Sequence, residues 1–187
     1  MNIGVLGGTF DPPHDAHLRI AERSIDQFSL DKVIFIPSGN PWQKKDATSY
    51  RHRYEMTKIL IGDSNDLEIS DIENSEEKPS YTYETLKKLN HPKEELYFIL
   101  GSDAAINIKT WKNYELLSNL TNFLIALRSE DNIDVLEKNF PFNYEIISGD
   151  KLDLSSTTLR NKLKEKNIEV SDLPSEIFTY IKENSLY

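Results

Sequence analysis

The first seventeen residues constrain the fold most. Residues 3–6 form a short apolar run that stops at Gly7 and Gly8, and a helical pattern of apolar residues runs from Leu18 to Phe28. A short apolar run that ends in a tight turn is typical of a buried parallel strand. Such a turn lies at the carboxyl edge of a sheet, where exposed backbone N–H groups and a helix dipole can bind an anion. The segment therefore predicts a ligand site between a first strand and a first helix.

Strand-like and helical segments alternate along the rest of the chain. Further apolar strands are predicted at 32–37, 67–72, 95–100, 122–127 and 144–147. Helical patterns are predicted at 50–61, from Thr82, at 131–138, from Ser155 or Ser156, and at 172–187. Alternation of this kind predicts an α/β fold: a doubly wound, Rossmann-like parallel sheet with right-handed crossovers, in a single domain that spans residues 1–187.

Composition narrows the classes of function. The chain has no cysteine, which excludes a disulfide framework and thiolate chemistry and predicts a cytoplasmic location. No run approaches the ~18 apolar residues of a membrane span, so no membrane partner is predicted. The net charge is −9, and the only locally basic segment is 44–58. An acidic chain with one basic patch is a poor candidate for binding nucleic acid and suits small phosphorylated ligands.

Two histidines lie where the first helix is predicted to begin. His14 and His17 are three residues apart, so on a helix their rings share one face. Imidazoles donate hydrogen bonds to phosphate oxygens and add charge when protonated. The alternatives are a surface pair beside a purely structural turn, and a zinc site. Zinc is disfavoured because cysteine is absent and the spacing misses the i, i+4 histidine pair of metalloproteases, so no metal site is predicted.

The motif around these histidines is recognisable. The segment GGTFDPPHDAH, residues 7–17, closely resembles the signature of the nucleotidyltransferase superfamily, whose H-x-G-H box is shared in looser form with class I aminoacyl-tRNA synthetases. Within that superfamily the chain is similar to bacterial nicotinate-nucleotide adenylyltransferases, with Ala16 where the family has glycine. The resemblance implies that His17 binds the α-phosphate of ATP in the transition state and that His14 helps to hold the leaving phosphates. The other ATP-binding residues it implies here are Gly7, Gly8, Thr9 and Phe10.

Two further segments resemble nucleotide motifs of the same family. The segment 154–160, LSSTTLR, matches the I-S-S-T-x-I-R motif, in which the helix start and the arginine hold the β- and γ-phosphates. The segment 101–111 resembles a G-x-D…W box, in which the aspartate meets adenosine and the tryptophan flanks the pyridine. The alternatives are a capped surface helix, an aspartate that caps a helix, and a core tryptophan. The residues implied are Arg160 as a catalytic residue, Ser155, Ser156, Thr157, Gly101 and Asp103 for ATP, and Trp111 for the acceptor.

One segment is predicted to receive the acceptor's ring. Residues 80–83, SYTY, resemble the family's S-Y-T-x-x-T-L element, whose backbone amides and aromatic ring receive the nicotinate group. The implied substrate-binding residues are Tyr81, Thr82 and Tyr83. The structural alternative is a helix start with Thr82 as its N-cap, and a helix start is itself suited to a ring carboxylate.

The basic patch lies in a polar loop and the helix after it. Lys44 ends a Pro-x-x-Lys loop that resembles the family's P-P-H-K and is implied as a phosphate ligand, although Trp42 and Gln43 replace the second proline and the histidine. Arg51 and Arg53 fall near the first turn of the next predicted helix, where positive charge opposes the helix dipole. Either both side chains are exposed or an anion lies nearby, and exposure is the expectation.

The resemblance covers the whole chain and implies an enzyme that transfers AMP from ATP to nicotinic acid mononucleotide, giving deamido-NAD (NaAD) and pyrophosphate. The mononucleotide phosphate would attack the α-phosphorus in line, with Mg²⁺ arriving bound to ATP. The alternatives are an adenylyltransferase for nicotinamide mononucleotide or phosphopantetheine, a non-catalytic nucleotide sensor on the same fold, and a tRNA-synthetase-like fragment. The sequence does not determine the oligomeric state, and a homodimer is one alternative.

Overall fold

The computed structural model describes residues 1–41, 46–127, 133–150, 154–165 and 173–187. Within these ranges six strands form one sheet: β1 (Ile3–Gly8), β2 (Lys32–Pro37), β3 (Leu67–Ile69), β4 (Leu96–Gly101), β5 (Asn122–Ala126) and β6 (Glu145–Ile147). The strand order is β3-β2-β1-β4-β5-β6, and every neighbouring pair is parallel. All the predicted strands are therefore present.

Helices alternate with the strands, as the sequence predicts. In the described part of the chain they are α1 (Asp15–Phe28), α2 (Tyr50–Ile61), α3 (Thr82–Leu89), α4 (Ser102–Ile106), α5 (Ile133–Asn139), α6 (Ser156–Lys164) and α7 (Ser175–Glu183). The prediction of a doubly wound, Rossmann-like parallel sheet is confirmed. Among the same residues no helix has both the length and the apolar character needed to cross a membrane.

Each face of the sheet has its own apolar core, because successive strand residues face opposite sides. Leu6 of β1 packs into the core that α1, α2, α6 and α7 cover, whereas its neighbour Val5 packs under α3, α4 and α5. Leu124 and Ile125 of β5 divide between the two faces in the same way. Since both faces are covered, the central strands can be apolar throughout, which is why the sequence reveals them so clearly.

At the carboxyl edge of β1 and β4, the connections that follow the two strands go to opposite faces of the sheet. Leu6 of β1 pairs with Ile99 of β4, so these neighbouring strands reach the same edge and end there in Gly8 and Gly101. α1 leaves β1 toward one face, and α4 leaves β4 toward the other. In open α/β sheets, ligands bind in the crevice at such a switch point.

Two predicted elements are shorter in the structure by three residues or more, whereas β5 and β6 are each shorter by one. β3 has three residues instead of six, because only Leu67–Ile69 pair with β2 at the edge of the sheet. α7 ends at Glu183, and the chain then turns back so that the N–H of Leu186 donates to the carbonyl of Ile181 at 3.0 Å. The helix predicted over 172–187 is therefore too long.

Candidate active site

His14 and His17 lie side by side at the start of α1. His14 precedes the helix, and its backbone N–H donates to Nδ1 of His17 at 3.2 Å. The two ring centroids are 3.9 Å apart, as the spacing in the sequence predicts. Because Nδ1 of His17 accepts this hydrogen bond, the proton of the neutral ring lies on Nε2. The His17 ring can therefore donate from Nε2 at the helix start, where the helix dipole also favours an anion.

Phe10 supports the His17 ring from within the loop after β1. Its backbone is left-handed, with φ 51°, a conformation that costs a bulky residue about 1–3 kcal/mol. Its ring is 2% exposed, with its centroid 5.7 Å from that of Phe35 and 5.0 Å from that of His17. Gly8 makes room for this ring, since a Cβ there would lie 3.0 Å from it. The buried Phe10 ring therefore supports His17 and offers almost no surface to a nucleotide.

The start of α6 lies against the same loop. Oγ of Ser156 donates to the carbonyl of Pro12 at 2.9 Å, and Nη1 of Arg160 donates to the carbonyl of Asp11 at 2.7 Å. Nη2 of Arg160 also donates to Oγ1 of Thr157 at 3.2 Å. The structure thus brings together two motifs whose contacting residues Ser156 and Pro12 are 144 positions apart.

The remaining predicted ATP residues lie around this junction and at the end of β4. Ser155 caps α6, since its Oγ accepts from the N–H of Thr158 at 3.1 Å. Gly101 precedes α4, and Asp103 lies exposed in the first turn of that helix. These positions place the adenosine-binding candidates at the same sheet edge as the loop after β1.

Asp11 belongs to this region, although the sequence reasoning did not single it out. Its side chain is 3% exposed. Oδ2 accepts from the backbone N–H of Thr48 at 3.2 Å, and Oδ1 accepts from the hydroxyl of Tyr187 at 2.5 Å. A buried carboxylate requires partners of this kind. The signal in the sequence was a lone acidic residue between Phe10 and two prolines.

Arg53 is buried, which corrects the expectation that it is exposed. Its side chain is 1% exposed, and its guanidinium donates to the carbonyls of Thr48, Thr9 and Gly39 at 2.6, 2.8 and 3.2 Å. Burial lowers the pKa of Arg53, and the nearby Asp11 carboxylate opposes that shift. Arg53 therefore ties the loops after β1 and β2 to α2.

The spacing within α2 carries the signal for this burial. Arg53 lies three, four and seven residues before Met56, Thr57 and Leu60, so all four share one helix face. The structure buries the whole face. Arg51 lies outside that pattern and is exposed, as expected.

Tyr81 and the segment around Trp111, both predicted to bind the acceptor, lie together in the structure. Nζ of Lys112 lies 4.4 Å from the ring centroid of Tyr81. The half-buried Trp111 ring packs edge-on against Phe98 of β4, with 6.2 Å between centroids. The helix begins at Thr82, and Tyr81 with its extended backbone precedes it, so the prediction of Thr82 as the N-cap is wrong by one residue.

Tyr83 contributes less to this shared region. Its half-buried ring lies 5.8 Å from Nζ of Lys87, which is on the next turn of the same helix. The contact joins the Tyr83 ring to its own helix, whereas the backbone N–H of Tyr83 lies in the first turn of that helix.

The loop after β2 contacts the segment before α3 that is predicted to bind the acceptor. The N–H of Ser80 donates to the carbonyl of Asn40 at 3.0 Å, and the N–H of Asn40 donates to Oγ of Ser80 at 3.2 Å. Gly39 cannot carry a side chain, since a Cβ would lie 1.8 Å from a backbone oxygen of the facing loop. The predicted contribution of this loop to the acceptor phosphate falls outside the described residues, as do its residues Trp42, Gln43 and Lys44.

The sequence of this chain matches a protein-family model described as cytidylyltransferase-like, over residues 5–162. The match covers the loop after β1, the end of β4 and the start of α6. The chain belongs to the cytidylyltransferase-like family. The resemblance predicted from the histidine motif lies within this family.

Individual cytidylyltransferase-like proteins are similar over the full length. Two curated relatives carry the name "Probable nicotinate-nucleotide adenylyltransferase". The protein of Desulfitobacterium hafniense strain Y51 is 39% identical over 99% of this chain and 95% of its own length. That of Clostridium novyi strain NT is 40% identical over 98% of both. The predicted resemblance to nicotinate-nucleotide adenylyltransferases is confirmed.

Solved structures agree with this assignment. The Plasmodium falciparum nicotinic acid mononucleotide adenylyltransferase complexed with NaAD superimposes with a TM-score of 0.83 at 28% identity, over 100% of this chain and 97% of the other. The same enzyme complexed with APC gives a TM-score of 0.81 at 26% identity, over 100% and 96%. The cytidylyltransferase-like fold of this chain is thus that of enzymes that handle mononucleotides.

Proposed function

We propose that this protein transfers AMP from ATP to nicotinic acid mononucleotide, forming NaAD and pyrophosphate in NAD biosynthesis. The observation that carries the proposal is the contact of Ser156 and Arg160 of α6 with the carbonyls of Pro12 and Asp11, in the loop that leads directly into the histidine pair. The names of the relatives and the NaAD complex of the Plasmodium enzyme support the choice of substrates. A cytoplasmic location stays a prediction from the sequence.

The reaction needs positioning and charge stabilisation more than covalent chemistry. An oxygen of the mononucleotide phosphate attacks the α-phosphorus of ATP in line, and the bond from that phosphorus to the bridging oxygen of the β-phosphate breaks. Pyrophosphate leaves with the electron pair of that bond. The protein accelerates such a step by aligning the two reactants and by placing donors where negative charge accumulates.

His17 is assigned to the α-phosphate. Its Nδ1 is held by the backbone N–H of His14, so Nε2 carries the donor that would reach a phosphate oxygen. His14, Ser156 and Arg160 are assigned to the β- and γ-phosphates, which become the leaving pyrophosphate. The backbones of the loop after β1 and of the α4 start, with the capped start of α6, would bind the rest of ATP through N–H groups.

Mg²⁺ is assigned to the ATP phosphates and not to a protein cage. Among the described residues, no group of three or more histidines, cysteines and carboxylates is placed to bind a metal ion. Mg²⁺ keeps several waters and is commonly held by substrate phosphates. Its contribution to the reaction is to offset negative charge on the leaving phosphates.

Arg160→Ala is expected to lower kcat/KM for ATP about 10- to 100-fold, since a hydrogen bond to a charged group contributes ~1.5–3 kcal/mol. The KM for the mononucleotide should change little. Lys164→Ala, which removes an exposed charge from the last turn of the same helix, is the matched control. Steady-state kinetics with each substrate varied in turn gives both constants. If kcat/KM for ATP were unchanged and the melting temperature were lower, Arg160 would stabilise the fold and would not bind ATP.

The acceptor is expected to be the acid form, preferred over nicotinamide mononucleotide by at least ~10-fold, or about 1.4 kcal/mol. Residues 81–83 open α3 with backbone N–H groups that suit a carboxylate, whereas an amide N–H₂ would leave a donor facing a donor. Stacking on Trp111 favours both rings equally, so Trp111→Ala should weaken both and preserve their ratio. Pyrophosphate release measured with each acceptor gives the specificity constants. Equal specificity constants for the two mononucleotides would overturn the assignment of the acid form as the acceptor, but not the assignment of adenylyl transfer.

A further inference from the structure

Tyr187 contacts the loop after β1 although it lies 176 positions from Asp11 in the sequence. Its hydroxyl donates to Oδ1 of the buried Asp11 at 2.5 Å. Burial raises the pKa of the Tyr187 hydroxyl, and the hydrogen bond to Asp11 adds to the shift. The hydroxyl therefore stays protonated at neutral pH and acts as the donor.

The backbone that carries Tyr187 is held in place against a conformational cost. Ser185 and Tyr187 are left-handed, with φ 52° and 70°, a conformation that costs a non-glycine residue about 1–3 kcal/mol. The contacts that hold it are the bond from Leu186 to Ile181 and the packing of Leu186 and Tyr187 on the core under α1, α2 and α7. The segment is therefore fixed where it can orient Asp11.

Asp11 is the point at which three parts of the site meet. Its carboxylate accepts from Tyr187 on one oxygen and from the N–H of Thr48 on the other, and its carbonyl accepts from Arg160. A shift of Asp11 would therefore displace an acceptor of the Arg160 guanidinium. Without the Tyr187 hydroxyl, Oδ1 would keep a buried negative charge with one donor fewer, which favours such a shift.

We propose that Tyr187 is a positioning residue for the ATP phosphates. By holding the Asp11 carboxylate, its hydroxyl fixes the loop after β1 and, through the carbonyl of Asp11, the Arg160 guanidinium. The inference rests on the proposed function for the identity of ATP as the ligand at this loop. Tyr187 makes no contact with the reacting atoms in this role and acts through Asp11.

Tyr187→Phe tests the proposal, since it removes only the hydroxyl. Tyr180→Phe is the matched control, because the Tyr180 hydroxyl lies 2.9 Å from Nδ1 of His52 between α7 and α2, a contact that does not involve Asp11. Tyr187→Phe should raise the Kd for ATP and lower kcat/KM for ATP about tenfold. The KM for the mononucleotide should not change, and thermal unfolding should show both variants folded at the assay temperature. Equal ATP constants in the two variants would overturn the proposal and leave Tyr187 as a core contact.

A double-mutant cycle tests whether the effect passes through Asp11. In an Asp11→Ala background, which has no side-chain acceptor for the hydroxyl, Tyr187→Phe should have little further effect on the Kd for ATP, whereas additive effects would overturn the proposed route. Calorimetric ATP binding needs no acceptor, so it separates the two hypotheses. A protein that binds ATP and shows the Tyr187 effect, yet does not turn over nicotinic acid mononucleotide, would refute the proposed function and retain this inference.

Discussion

Replacing His17 by alanine is expected to lower the turnover number about 10²-fold or more while the protein stays folded. The loss of one donor aimed at developing charge typically costs roughly 2.7–4 kcal/mol of transition-state stabilisation. Nε2 of His17 is such a donor, because Nδ1 is occupied by the backbone N–H of His14. Pyrophosphate release at saturating substrates measures the turnover, and thermal unfolding checks the fold.

Two conservative variants separate catalysis from helix capping at this position. His17→Asn keeps an acceptor near the position of Nδ1, and should restore the ~0.5–2 kcal/mol that a helix cap contributes to stability without restoring turnover. His17→Gln places an amide donor near the position of Nε2, and should recover part of the turnover. A folded His17→Ala enzyme with near-normal turnover would remove the histidine from the mechanism. Full recovery in His17→Asn would assign the loss to the helix start instead.

Arg53→Met is expected to lower the free energy of unfolding by on the order of 3–5 kcal/mol. The substitution keeps a long side chain but removes the donor of three backbone carbonyls, and each buried acceptor left without a partner costs about 1–3 kcal/mol before partial rehydration. Because Thr9 and Gly39 belong to the loops after β1 and β2, the loss should also weaken the binding of both substrates. Urea denaturation measures the change in stability.

Arg51→Met is the control for this prediction. Arg51 is exposed on the same helix and carries the same charge, so its loss should change stability by no more than about 0.5 kcal/mol. Arg53→Lys keeps the charge but cannot present the guanidinium fork, and should fall between Arg53→Met and the unaltered protein. If Arg53→Met were as stable as Arg51→Met, the three hydrogen bonds would contribute nothing to the fold.

The elements that the sequence predicted best are those whose environment is set locally. β2 and α2 have the predicted bounds, since β2 is apolar on both faces and α2 combines a periodic apolar face with Gly62 just after its end. The predicted length of β3 was wrong because that length depends on how many of its residues pair with β2 at the sheet edge. The predicted end of α7 was wrong because the apolar residues beyond Glu183 pack on the core in a turn and do not continue the helix.

The site divides in the same way. The histidine pair and the capped start of α6 follow from spacing within each motif, and the parallel topology explains why both reach one sheet edge. The sequence did not reveal the connection among Asp11, Arg53 and Tyr187, because each of these residues has its hydrogen-bond partners in segments distant in sequence. No local pattern specifies such contacts. Two signals in the sequence could have been used: the position of Arg53 on an apolar helix face, and the acidic residue Asp11 between Phe10 and two prolines.

Product analysis of a single reaction mixture tests the proposed activity most directly. The purified protein is incubated with ATP, nicotinic acid mononucleotide and Mg²⁺, and the dinucleotide and pyrophosphate are quantified by mass spectrometry and a coupled assay. We expect NaAD and pyrophosphate in equal amounts, and neither product when one substrate is omitted. ATP that binds but stays intact with every acceptor would instead indicate a nucleotide sensor and contradict the proposed transfer of AMP.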